Sequence, residues 1–145
     1  MNTRSEAYAK IQTFLQSEDK GLLLTGTHQF IKHKLALKVI ADSKDQSSSI
    51  LFRANSMQNL SDFFERNSNI KTGKGYKLGK HKLYFDTINK TSWKNTRSAY
   101  DFSILYPVDA LMRNEKLYKD ILTDLYERRR INKIILVSLD RQSRI

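Results

Sequence analysis

Thr25, Gly26 and Thr27 are followed by Lys32, six residues beyond the glycine, and such a set can hold a phosphate. A phosphate cradle needs a flexible turn on which backbone amides converge, the electropositive start of a helix behind it, and a lysine for the outer oxygens. A second chemistry lies in "KTGKGYKLGKHK", where Gly73, Gly75 and Gly79 alternate with Lys71, Lys74, Lys77, Lys80 and Lys82. Glycine lets a backbone approach a chain of phosphates and lysine neutralises it. Tyr76, Tyr84, Phe85 and Trp93 lie in or near this run and could stack on single-stranded bases, although strand alternation buries at least one of Tyr84 and Phe85. Arg128, Arg129 and Arg130 form a further basic cluster at a helix end, where cations also suit the helix dipole.

Other chemistries find less material. The chain has no cysteine, which removes disulfides, thiolate metal sites and a cysteine nucleophile. His28, His33 and His81 lack carboxylates at ligand spacing, and His28 and His33 diverge on a helix, so no zinc site is expected. A metal-dependent nuclease would draw on Asp86 and Asp101 with Lys82 or Lys90, but no Glu-x-Lys pair follows on an adjoining strand. No Gly-x-Ser-x-Gly elbow is present.

The elements that must position these residues follow from hydrophobic spacing. Ala7, Ile11, Phe14 and Leu15 predict a helix over 4–17. "GLLLTGT" is short and apolar, as a buried strand is. A helix follows with Phe30, Ile31, Leu35, Leu37, Val39 and Ile40, then the strand "SILFRAN" and a helix "SMQNLSDFFER" with Ser56 as N-cap. The basic glycine-punctuated segment, about 68–98, predicts a loop or hairpin inserted before the next core strand, with "KLYFDTI" as a strand inside it. "DFSILYPVDAL" holds the next core strand, stopped by Pro107. Leu117, Ile121 and Leu125 then share a helical face, and "KIILVSL" is a last buried strand. Strands alternating with helices predict one α/β domain over 1–145, a three-layer sandwich with a mainly parallel sheet. Ligands in such sheets gather beyond the carboxyl ends of the strands, which directs attention to 25–32, 53–56, 106–109 and 138–141.

The run "GTHQFIKH" resembles the Walker A motif of the P-loop nucleoside triphosphatases, G-x-x-x-x-G-K-[ST], with Gly26 and Lys32 in register. It departs from that pattern at the second glycine, which is Ile31, and at the magnesium-binding hydroxyl, which is His33. "SILYPVDAL" stands where the family has its Walker B strand, but the acid falls at Pro107 and Val108, with Asp109 slightly too far along. Ser138 stands at the position of a polar sensor residue. The resemblance spans 21–139 and implies a P-loop-like fold with Gly26, Thr27 and Lys32 at the phosphates of ATP or GTP. Asp109 and Ser138 are then candidate metal or sensor residues, against plain roles as turn or cap. The departures tell against Mg2+ and efficient hydrolysis.

Charge decides the partner class. The chain's 145 residues carry 26 Lys and Arg against 15 Asp and Glu, a formal net charge of +11. Such an excess favours polyanions, chiefly nucleic acid, and the same field attracts an acidic protein partner. No uninterrupted apolar run of membrane-spanning or signal-peptide character occurs, so a cytoplasmic protein without membrane contact is expected. Two functions compete: a nucleotide- or phosphate-binding P-loop-like protein in a nucleic-acid process, and a non-enzymatic basic accessory module that binds DNA, RNA or a protein partner. A homo-oligomer is compatible with both.

Overall fold

Apolar spacing near the start of the chain produces helix α1, Arg4–Gln16, which buries Ile11 and Phe14 and leaves its polar face in water. A computed structural model describes residues 4–25, 32–43, 47–54, 71–96, 100–111 and 113–138. Strand β1, Gly21–Leu24, leads towards helix α2, Lys32–Asp42, and strand β2 is Ser49–Ala54. The hairpin β3, Tyr76–Leu78, and β4, His81–Thr87, comes next, turning through Gly79 at φ 60°. Only glycine adopts such a dihedral without strain. A 3-10 helix, Lys90–Asn95, begins at Asn89, whose side chain accepts from the amide of Thr91. Strand β5, Phe102–Tyr106, ends before Pro107, as its missing amide hydrogen requires. A 3-10 turn, Val108–Leu111, leads to helix α3, Glu115–Thr123, capped by Asn114 and prolonged by a π-helical turn, Asp124–Arg128. Strand β6 is Lys133–Val137.

The protein is α/β, and among the described residues six strands form one sheet in the order β1-β6-β5-β2-β4-β3. Every neighbouring pair is parallel except β3 with β4. The predicted hairpin therefore exists, and its second strand pairs with β2 over six residues, making it part of the sheet. The predicted helix "SMQNLSDFFER" lies outside the described residues.

Side-chain alternation sorts the apolar residues into two clusters. Ile50, Phe52, Leu83, Phe85, Ile104, Tyr106, Ile135 and Val137 join residues of α1 and α2 in the first. Leu51, Tyr84, Leu105 and Ile134 join Trp93, Tyr100, Ile121 and Leu125 in the second. One expectation needs correction. β1 lies at the rim, with β6 as its neighbour, so Leu23 is 48% exposed and Gly21 open, while Leu24 is buried. Three leucines in a row gave no sign of this, because apolarity does not say how many neighbours a strand has.

Candidate functional site

At the carboxyl ends of the parallel strands, Thr25 is exposed beyond β1 and Ser138 is half-buried beyond β6. The two ends are tied together, since the amide of Ser138 donates to the Leu24 carbonyl at 2.9 Å. Lys32, the first residue of α2, is 1% exposed and lines a groove of about 670 Å3 between α1 and β1, along with Leu24, Thr25 and Leu35. A lysine buried at the start of a helix works against the helix dipole, which makes its inward position informative. Gly26 and Thr27 lie outside the described residues. Asp109 is half-buried in the 3-10 turn after Pro107. His33 is buried and stacks on Tyr106 with ring centroids 4.3 Å apart, with Phe52 edge-on at 5.9 Å. The His33 ring thus stands between aromatic faces, with Pro107 and Val108 buried at the tip of β5.

The five hairpin lysines, Lys71, Lys74, Lys77, Lys80 and Lys82, are all exposed. Lys77 and Lys82 are cross-strand partners, so both project from the sheet face that carries Tyr84, the face of the second cluster. The aromatic residues behave otherwise. Tyr84, Phe85 and Trp93 are buried. Tyr76 is half-buried, packs edge-on against Phe85, accepts the Lys71 amide at its hydroxyl, and has the Lys74 ammonium 5.5 Å from its ring centroid. The hairpin therefore offers charge without a row of free rings for bases.

The arginine cluster divides. Arg128 and Arg130 are exposed, whereas Arg129 turns inward. Its Nε donates to Asp124 Oδ2 at 2.7 Å, its Nη2 to the Trp93 carbonyl, and its Nη1 to the Thr96 hydroxyl. Beside it, Arg53 is fully buried and forks onto Asp86 through two hydrogen bonds of 2.8 Å. Arg53 Nη1 also lies 3.0 Å from Asp124 as an ion pair without hydrogen-bond alignment, and its guanidinium carbon is 4.3 Å from the Trp93 ring centroid. Two arginines and two aspartates thus form a neutral buried network that fastens the 90–95 helix and the end of α3 to the sheet. Arg129 belongs to that network and is buried with it.

No protein-family model, curated protein or solved structure matches the chain, so the functional reading rests on its own residues.

Asp86 is locked onto Arg53 near the carboxyl end of β4, while Asp101 accepts from the Ser49 amide at the amino end of the sheet. The nuclease pair is therefore split between opposite ends of the strands, and among the described residues no group of three or more metal-ligating side chains is gathered. His81 is buried, and its Nδ1 receives the Ser48 amide at 3.0 Å with the Ser48 hydroxyl at 2.6 Å. Burial, with Lys80 adding to it, pushes its pKa below the ordinary 6.5. The role of Arg53 was not visible in sequence. Its only signal was a charged residue inside an apolar strand, which implies a buried partner on a neighbouring strand.

Proposed function

We propose that this protein binds nucleic acid through the phosphodiester backbone, as a non-enzymatic basic module whose contact surface is the β3–β4 hairpin. The observation that carries this reading is a contrast within one segment. All five of its lysines are exposed, whereas Tyr84, Phe85 and Trp93 are buried. Lysines without free rings favour phosphate contact over base stacking, and so favour a double helix, with little dependence on sequence. Fluorescence anisotropy with a 20-base-pair duplex across a salt series tests it. Replacing Lys77 and Lys82 together with alanine lowers the slope of log K against log salt by about 1.8, because each phosphate contact contributes about 0.9. A slope unchanged in that variant overturns the reading.

A second reading is favoured by Lys32. Its burial at the start of α2, beside the exposed Thr25, is the arrangement a P-loop-like fold would use, with Gly26, Thr27 and Lys32 at the phosphates of ATP or GTP. In that reading the two clusters and their sheet form the three-layer, P-loop-like architecture, and Ser138 and Asp109 flank the ligand. Nucleotide titration with and without Mg2+ tests it. Binding that Lys32→Ala abolishes while the fold persists supports it, and no binding to the unmodified protein removes it.

A further inference from the structure

On the sheet face from which Lys77 and Lys82 project, a cleft of about 360 Å3 opens between the 90–95 helix and the end of α3. Lys90, Lys94, Thr123 and Arg128 stand exposed around it, with Trp93 and Arg129 buried below. The buried network beneath is electrically balanced, so the rim alone sets the sign of the opening. Of the rim cations, Lys90 is engaged, its ammonium 2.6 Å from Asp120, and its side chain remains 56% exposed.

Asp120 is itself ringed by cations. The Lys90 hydrogen bond holds its carboxyl below the usual range, and Lys116 and Arg128 add to the effect. An oxygen anion held by an exposed lysine between further cations is in the situation of a bound phosphate.

The geometry also joins this cleft to the hairpin. From Lys82 to Thr87 strand β4 advances about 17 Å and ends against the 90–95 helix, whose Trp93 indole donates to the Thr87 carbonyl. Backbone phosphates follow one another every 3.4 Å of axis on each strand of a duplex, so that length matches about five base pairs.

We propose that the cleft rimmed by Lys90, Lys94 and Arg128 is a second phosphodiester contact for a double helix lying across the Lys77–Lys82 face, and that Asp120 occupies the place of one backbone phosphate in the free protein. The proposal rests on the reading that the hairpin binds nucleic acid, and adds the face, the footprint and a built-in competitor. Binding transfers Lys90 from the carboxylate to the phosphate. The competitor discriminates, because removing an acid that merely stabilises α3 would not tighten binding.

The test measures anisotropy of 20-base-pair DNA and RNA duplexes, and of a single strand of equal length, across a salt series. Circular dichroism verifies that each variant is folded. Lys94→Ala with Arg128→Ala lowers the salt slope by about 1.8, as two lost contacts should. Asp120→Asn tightens binding by about fivefold at 0.15 M salt, the value of one recovered contact relative to 1 M. Asp42→Asn, which removes an equal charge from the exposed last residue of α2, leaves affinity unchanged. If Lys77→Ala/Lys82→Ala loses slope while the cleft variants do not, the cleft proposal falls and the hairpin reading stands. If neither set loses slope, both fall. Equal tightening by Asp42→Asn and Asp120→Asn reduces the effect to net charge and overturns the proposal, as does tighter binding of the single strand. Preference between the DNA and RNA duplexes identifies the source of the phosphates.

Discussion

Asp124→Asn isolates the charge balance of the buried network, because asparagine keeps the shape and one acceptor oxygen while removing the anion. Asp124 stands 2.7 Å from Arg129 Nε and 3.0 Å from Arg53 Nη1, and all three side chains are buried. With it neutralised, two guanidinium groups share the single charge of Asp86. Stranding a charge by removing one buried partner costs about 3–5 kcal/mol, and the retained amide oxygen argues for about 3. For a chain of 145 residues each kcal/mol lowers the melting temperature by about 3 °C, so a drop of about 9 °C is expected. In urea, with a slope of about 2 kcal/mol per molar, the midpoint falls by about 1.5 M. Melting by far-UV circular dichroism and urea titration at pH 7 measure both. Adding Arg129→Met to Asp124→Asn removes the stranded cation and recovers part of the loss. The surface substitution Asp42→Asn, at an exposed pair, leaves the midpoint where it was. A loss for Asp124→Asn no larger than that of Asp42→Asn would refute the reasoning.

Three further outcomes are expected. His81 titrates below 6.5 when folded, so the unfolded chain binds more protons as pH falls through 6.5. Stability is then complete above that value and is lost between 6.5 and the lower folded pKa; His81→Gln flattens this limb in urea midpoints measured from pH 7.5 to 5. Gly79→Ala costs about 1 kcal/mol, read from the same midpoints, because its φ of 60° is unfavourable for a side chain while the added carbon makes only an ordinary contact, 3.8 Å from the Ala41 carbonyl. Trp93→Phe keeps the packing against Arg53 but loses the indole hydrogen bond of 2.8 Å to the Thr87 carbonyl, which costs about 1–2 kcal/mol in thermal melts.

Much of the fold was legible in the chain. Ile11 and Phe14, Leu35, Leu37, Val39 and Ile40, and Ile121 with Leu125 lie inside at the positions that helical spacing gives them, and β2, β4, β5 and β6 occupy the expected apolar runs. Pairing order was not legible, because parallel neighbours are set by crossovers whose lengths fit several arrangements. Hence β1 looked buried and lies at the rim. The lysines of the hairpin were visible as a candidate surface, since a charge is recognised without its neighbours. Burial of a charge is different, because it depends on a partner distant in sequence. Arg53 meets Asp86 across 33 residues, and Arg129 looked like its exposed neighbours Arg128 and Arg130 because its partners, Asp124, Trp93 and Thr96, are brought to it only by the fold.

The two margins of the sheet are defended unequally. On the β3 side, a three-residue strand bears Lys77, with Lys74 and Lys80 close by, and like charges keep another molecule's strand from docking there. On the opposite side, β1 is "GLLL", uncharged, with Leu23 in water, and among the described residues no strand lies beyond it. As concentration or ionic strength rises and repulsion between these cationic molecules fades, self-association should therefore begin at the leucine margin and spare the lysine one.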